Sequence, residues 1–300
     1  MNYLTKEQNA IVFENAGERL RVEPWGENSL RVRAVMMREI RDTDYALLAP
    51  VQTEVQIRIE DDFKGSITNG KITARLEVCP WKKRCRISFY NQKGELLLGE
   101  EGHGGALNNH SRHFKARLGG DHELTVTFHA DPEEKLFGMG QYQQELLDVK
   151  NCVLELAHRN SQASVPFVLS DKGYGFLWHN PAVGKVVFGK NLTQWYAEST
   201  DQMDYWITAG DTPDEIERAY GKATGTVPMM PEYGLGFWQC KLRYWNQEQL
   251  LTVAREYHRR GIPVDVIVVD FYHWPKCGDF RFDPADFPDP KAMVEELKGY

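Results

Sequence analysis

Over most of the chain, apolar and polar residues alternate in short runs. Residues 20–23, 29–35, 53–59, 71–78, 86–90 and 123–128 follow this pattern, and residues 165–170, 174–178, 186–188 and 203–207 continue it. Alternation with period two predicts strands with one face in a core and one in water. Its repetition at short intervals predicts a two-sheet antiparallel sandwich. Turn signals separate the runs: Asn69-Gly70 is a strong hairpin signal, residues 91–94 end on Gly94, and residues 171–173 read as a tight hairpin turn.

The grammar then changes. Thr212, Pro213, Asp214 and Glu215 predict a helix start, with Thr212 as N-cap, Pro213 in the first helical position and acids in the first turn; its apolar face is Ile216, Ala219 and Tyr220. Pro228 and Pro231 punctuate a linker, after which residues 233–239 read as a strand. Asn246 and Gln249 form a capping-box pattern ahead of a helix whose buried stripe is Leu250, Leu251, Ala254 and Tyr257, stopped by Gly261. Residues 264–269 are a nearly continuous β-branched run, as expected of a parallel strand covered on both faces. Asp289-Pro290 opens a further helix that runs to Leu297, with Gly299 ending it. Strand, helix, strand, helix is the repeat of a (β/α) barrel or a doubly wound sheet. The expected organisation is a β-sandwich domain over 1–228 and the start of a barrel over 229–300. A closed barrel needs about eight such units, so the chain is expected to be a fragment of a longer protein.

Composition narrows the function. The 300 residues are 42% hydrophobic and 26% charged, with the charges dispersed, which argues for a folded core. The net charge of -7 and the absence of a basic stripe speak against a nucleic-acid partner. Aromatic residues make up 12%, suiting either sugar platforms or an aromatic-rich β core. Five cysteines at irregular spacing suggest neither a disulfide framework nor a zinc site. Reduced thiols, no apolar leader at the N-terminus and no apolar run of about 18 residues predict a cytoplasmic protein without a membrane span. In such a compartment the sequons at Asn109 and Asn191 carry little meaning.

Candidate chemistry centres on Asp270, which follows the β-branched run at its carboxyl end, where barrel folds present ligand groups. Its carboxylate could accept hydrogen bonds from sugar hydroxyls, or it could cap a local turn. The following loop crowds Phe271, Tyr272, His273 and Trp274 against it, as a platform for a pyranose or as a plain hydrophobic lid. His273 reads as a hydrogen-bonded structural residue. Asp279, Asp283, Asp286 and Asp289 lack the glycine and glutamate of an EF-hand loop. Gly234-Leu235-Gly236 has no third glycine and no helix in the place a dinucleotide site needs. No nucleophile elbow or Ser-His-Asp order is present. No cofactor or metal is expected.

These stretches resemble glycoside hydrolase family 31. Residues 231–240 (PEYGLGFWQC) are similar to its first barrel strand and residues 261–270 (GIPVDVIVVD) to its second. Asp279-Phe280-Arg281-Phe282-Asp283-Pro284 and Phe287-Pro288-Asp289-Pro290 resemble the loop and helix start that follow. Upstream, Leu136-Phe137-Gly138-Met139-Gly140-Gln141 resembles the Tyr-Gly-Leu-Gly-Glu signature of the N-terminal sandwich, with Gln141 in place of Glu. Residues 166–170 and 172–175 are similar to that domain's hairpin beside the active site. The resemblance implies a galactose-mutarotase-like β-sandwich followed by the first two βα units of an incomplete (β/α)8 TIM barrel. It implies retaining hydrolysis of terminal α-linked glucose or xylose, with a carboxylate nucleophile and a carboxylic acid/base. Both are expected beyond residue 300, so the fragment alone is expected to be inactive. Carried over by position are Asp270, which would hold sugar hydroxyls in the −1 subsite, and Phe271, Tyr272 and Leu242, which would line it. Trp274 belongs to the same aromatic loop, and Asn160 lies in the sandwich segment that reaches toward the site in relatives. The family's usual Asp-Ile-Asp-Tyr-Met is replaced here by Val269-Asp270-Phe271-Tyr272-His273-Trp274, which leaves glucose against xylose open. The expected partner is an α-linked oligosaccharide, with neither nucleic acid nor membrane, and the sequence admits a homo-oligomer at full length. A carbohydrate-binding module without catalysis, an α-transglycosylase and an interaction scaffold are the alternatives.

Overall fold

The structure, a computed structural model, describes residues 2–101 and 110–300; Asn109 lies outside them. The chain divides into two compact units, Met1–Thr226 and Val227–Tyr300.

In the first unit the strands are β1 (Leu4–Glu7), β2 (Ala10–Asn15), β3 (Glu18–Pro24), β4 (Ser29–Met36), β5 (Gln56–Asp61), β6 (Lys64–Asn69), β7 (Ile72–Val78), β8 (Cys85–Asn91) and β9 (Leu96–Gly99). They continue as β10 (Arg112–Ala116), β11 (His122–His129), β12 (Leu136–Gln141), β13 (Val153–Leu156), β14 (Ala163–Ser170), β15 (Tyr174–Trp178), β16 (Gly184–Phe188), β17 (Leu192–Thr200) and β18 (Met203–Ala209). Helix α1 (Pro213–Thr224) follows. One sheet runs β1-β2-β3-β4-β18-β15-β14-β12, a second β5-β6-β7-β8-β9 and a third β10-β11-β17-β16-β13. The strand pairs in these sheets are antiparallel; representative pairs are β3 with β4, β7 with β8 and β11 with β17.

All three sheets feed one core. Phe13, Leu20 and Val32 come from the first, Ile72, Leu76 and Phe89 from the second, and Val126, Phe128 and Trp195 from the third. Aromatic rings tie them together: Phe128 meets Phe176 edge-on at 5.6 Å, and Phe89 meets Tyr205 at 6.3 Å. The expected two-sheet sandwich is therefore modified, because one layer is split into two five-stranded sheets. A single-residue bridge, Glu100 to Phe128, links these halves. The Glu100 carboxylate is buried there against the Arg112 guanidinium, which also reaches Glu18 at 2.6 Å and the Cys85 carbonyl at 2.8 Å. Burial pushes the Glu100 carboxyl up, opposed by Arg112, and burial also pushes the Cys85 thiol up.

Over β4, β18, β15 and β14 the outer face of the eight-stranded sheet is covered rather than open to water, contrary to the period-two expectation. Arg31, Arg33 and Asp204 on β4 and β18 are almost fully buried. Two segments cover them. Helix α1 packs Ile216 and Ala223 onto Phe167, Leu177 and Trp206, with Tyr220 stacked on Phe167 at 4.0 Å. Residues 37–55 form the other cover. Arg31 bonds Asp44 at 3.0 Å and the Thr43 carbonyl at 2.8 Å, and Arg33 bonds Asp42 at 2.6 Å and the Arg41 carbonyl at 3.0 Å. Trp25 donates its indole N–H to the Leu48 carbonyl. His179 Nε2 accepts the backbone N–H groups of Tyr45 and Ala46 at 3.2 and 3.1 Å, so its proton sits on Nδ1, 3.3 Å from Asp204.

Local signals vary in outcome. Thr212 caps α1 by accepting the Glu215 N–H. The strand expected over 53–59 begins only at Gln56, and the turn at Asn69-Gly70 is displaced by one residue. Asn69 pairs with Ile72, leaving Gly70-Lys71 as the loop, because the Asn69 side chain is buried and donates to the carbonyls of Gly26 and Ser29. Strand β12 carries a register shift between Gly138 and Gly140, with Met139 at φ 71°. A Cβ on Gly140 would collide with the Ala163 carbonyl, so this bulge requires glycine.

In the second unit a 3-10 turn (Glu232–Leu235) precedes β19 (Trp238–Cys240), α2 (Gln247–Arg259), β20 (Val266–Val268) and α3 (Pro290–Leu297). β19 and β20 are parallel, Trp238 opposite Val266 and Cys240 opposite Val268. The strand expected over 233–239 is thus mostly turn. Pro231 starts it, and at Gly236 the backbone passes so close to the Asp265 carboxylate that a Cβ would collide. The run 264–269 is a strand only over Val266–Val268 and is half-buried rather than covered on both faces. Its covered side meets α2 and α3 through Ile267 and Val269, which pack against Tyr244, Leu250, Leu251, Phe287 and Met293. The helix caps are as expected: Asn246 accepts the Gln249 N–H, and Asp289 accepts the Ala292 N–H. No helix among the described residues is long and apolar enough to cross a membrane.

Candidate functional site

Parallel pairing sends the chain out of β19 and β20 at the same end. There Arg243 and Asp270 meet in an isolated backbone bridge. Asp270 has φ 53° and Tyr272 φ 61°, a left-handed conformation that costs a non-glycine residue roughly 1–3 kcal/mol and is often found at ligand sites. The loop is held in this shape from within. The His273 ring Nδ1 lies 2.7 Å from the Asp270 carbonyl and donates to it, and the His273 carbonyl accepts the Asp283 N–H at 2.7 Å. His273 is therefore the structural residue its setting suggested.

The Asp270 carboxylate meets the Cys240 thiol at 3.8 Å. That thiol also lies 3.5 Å from the Lys241 carbonyl, and its one proton serves one acceptor at a time. Among the described residues no other hydrogen bond or ion pair reaches the Asp270 carboxylate, so acceptor capacity remains for hydroxyl donors. Capping of the loop is done by the Asp270 carbonyl, not by its side chain.

Aromatic rings form a connected surface beside it. Tyr272 lies 5.6 Å from Phe271 and stacks at 6.2 Å and 22° on Trp274, and Phe271 is 6.3 Å from Trp274. Trp274 meets His273 edge-on at 4.6 Å; His273 meets Phe282, and Phe282 meets the buried Phe287. The exposed rings are thereby anchored to the core of this unit. Leu242 is exposed one residue before Arg243. Asn160 lies in the first unit, in the turn closed by the Arg159–Gln162 bridge, next to Ser161 at φ 64°. The cavity of about 560 Å³ in the second unit is lined by Tyr257, Pro263, Ile267 and Leu297 and does not include Asp270. Among the described residues no three His, Cys, Asp or Glu side chains converge as a metal site.

The structure thus brings Asp270, Phe271, Tyr272 and Trp274 together and adds three residues the sequence reading did not single out: Cys240, Arg243 and Trp245. Their signal was positional, since Cys240 ends β19 and Arg243 and Trp245 follow it, at the end where Asp270 follows β20.

The family model described as the Glycosyl hydrolase 31 N-terminal galactose mutarotase-like domain matches residues 19–186, more than half of the chain. The chain belongs to glycoside hydrolase family 31. The family's TIM-barrel domain model matches residues 227–300. An uncharacterized family 31 glucosidase of Pseudescherichia vulneris is 50% identical over 99% of this chain and 58% of its own length. An α-xylosidase of Saccharolobus solfataricus is 33% identical over 70% of the chain and 30% of its own length. Among solved structures, a family 31 α-xylosidase from a soil metagenome complexed with xylose superposes with a TM-score of 0.87 at 47% identity, over 99% of this chain and 45% of that one. The chain therefore spans from under a third to just over half the length of these family 31 relatives.

Proposed function

We propose that the chain is the N-terminal part of a retaining α-glycosidase that releases terminal α-linked xylose in preference to glucose. In this reading the sandwich domain, 1–228, gives way at residue 229 to the first two βα units of an eight-fold barrel. Asp270 accepts hydrogen bonds from two hydroxyls of the sugar in the −1 subsite. Phe271, Tyr272, Trp274 and Leu242 line that subsite. The nucleophile and the acid/base lie outside these 300 residues, so the chain by itself turns over no α-glycoside.

The observation that carries this reading is the Asp270 carboxylate, without a cationic partner among the described residues, beside a wall of anchored aromatic rings. A charged acceptor orients hydroxyls and a flat ring packs the sugar's apolar face, while bulky rings leave less room for the hydroxymethyl group that glucose has and xylose lacks. Two relatives are named α-xylosidases, which favours the pentose, and one is named a glucosidase.

The test is steady-state hydrolysis of p-nitrophenyl α-xyloside and α-glucoside by the complete protein. The xyloside is expected to have the higher kcat/KM. Asp270→Ala is expected to lower that value by about 10²- to 10⁴-fold, the loss of two charge-assisted hydrogen bonds. An Asp270→Ala protein with unaltered kinetics would remove the residue from the site, and a higher value for the glucoside would reverse the preference.

A further inference from the structure

Arg243 differs from the other described arginines in combining a buried Nε that lacks an acceptor with two neighbouring rings. Among the described residues its guanidinium has no carboxylate partner and no hydrogen bond, and its Nε is buried without an acceptor. It lies instead between two rings, 3.8 Å from the centroid of Trp245 and 4.8 Å from that of Tyr272. A cation over an aromatic face is attracted by the ring quadrupole, and the planar guanidinium stacks where an ammonium cannot.

The segment carrying it is fixed on three sides. Tyr244 is fully buried and accepts from Gln239 through its hydroxyl at 3.2 Å, and Gln239 in turn accepts from Tyr257 at 2.7 Å. The Trp245 backbone N–H, one residue ahead of the N-cap Asn246, donates to the Gln249 side chain at 2.7 Å. The Arg243 backbone pairs with Asp270. Tyr272, by contrast, is exposed and stands in a strained backbone conformation, so its ring needs support from its neighbours. Trp274 supplies one supporting plane and Arg243 the other.

We propose that Arg243 is a positioning residue of the sugar site: held between Trp245 and Tyr272 beside Asp270, it keeps the Tyr272 ring as a fixed wall against which the sugar packs. This rests on the reading of Asp270 as the sugar-binding carboxylate. Arg243 acts on ground-state binding through Tyr272 and touches no reacting atom.

The experiment compares the complete enzyme with Arg243→Met, Arg243→Lys and Asp270→Ala, using p-nitrophenyl α-xyloside and following the thermal unfolding midpoint. Arg243→Met keeps the length and apolar stem but loses the charge and plane. It is expected to raise KM about three- to thirtyfold with kcat within about twofold and the midpoint unchanged. Arg243→Lys, which restores the charge without the plane, should fall between. A KM for Arg243→Met equal to that of the parent, alongside a disabled Asp270→Ala, overturns the inference and leaves the proposed function standing. An Asp270→Ala enzyme that behaves as the parent brings down both. If Arg243→Met lowers the midpoint, Arg243→Lys decides, and a parental KM there overturns the inference.

Discussion

In Met1–Thr226 the residues Arg31, Arg33, Asp204, Glu100 and Arg112 are nearly or fully buried, and each meets an opposite charge. In Val227–Tyr300 the pattern inverts: Leu242, Trp245, Phe271 and Tyr272 are exposed, while the buried apolar cluster holds five of the described residues. A buried ion pair makes the first unit intolerant of losing one partner, since the remaining charge has neither water nor counter-charge. Displayed rings do little for the stability of the second unit and are suited to an external ligand. The same chain thus holds charged groups inward in the first unit and displays apolar groups outward in the second, where the proposed sugar site lies.

Several substitutions bear on this contrast. Arg112→Met strands Glu100 at the split in the second layer of the sandwich and is expected to cost about 3–5 kcal/mol in chemical denaturation of the first unit. Adding Glu100→Leu to it should recover most of that loss; no recovery would mean that packing, not charge, holds the seam. Caps test the other side of the comparison. Asp289→Ala, at the start of α3, and Thr212→Ala, at the start of α1, should each cost about 1 kcal/mol. With so few buried residues behind it, α3 should show the larger fall in amide-exchange protection, and equal falls in both helices would blunt the contrast.

The smallest effect concerns pH. Hydrogen bonds from Arg255 and then from Tyr300 hold the Glu296 carboxyl down to about 2, against its ordinary 4.5. A depressed carboxyl stabilises the fold above its unfolded value, and that contribution disappears as pH falls through the folded one. The tie between α2 and α3 should therefore be intact at pH 5 and fade between 4.5 and 2. The pair is on the surface, so the change is small and salt-sensitive. Amide-exchange protection factors of α3 would report it, and Glu296→Gln should abolish the pH dependence.

What could be read beforehand was local. The caps Thr212, Asn246 and Asp289 are each set by a few consecutive residues, and they stand where their spacing placed them. Interactions between distant segments decided the rest. Asn69 forgoes the turn because carbonyls of Gly26 and Ser29, some forty residues earlier, accept its amide. Arg31 and Arg33 follow the alternating pattern of a wet face, but residues 37–55 cover that face. Among the strands that were passed over are β12 and β17, besides β1, β2, β6, β9, β10 and β13. Strand β12 is interrupted by two glycines, and the identity of its partner, β14, is a property of the sheet order rather than of the segment. At the candidate site, Asp270 and its aromatic loop are contiguous and were visible together. Cys240, Arg243 and Trp245 join them only through the parallel register of β19 and β20.

The segment 37–55 has a consequence of its own. It is moored to the sandwich by side chains rooted in the sheet: two arginines that take carbonyl and carboxylate oxygens, one imidazole that takes two amide hydrogens, and one indole that gives its own. Moorings of that kind specify backbone groups and the two carboxylates, Asp42 and Asp44, that must arrive, and say little about the exposed residues around them. A different stretch of peptide, longer or of another composition, could berth in the same place if it offered those groups at the same points. The scaffold underneath would not have to change, which makes this collar a part of the molecule where new surface can be tried at little risk to the fold.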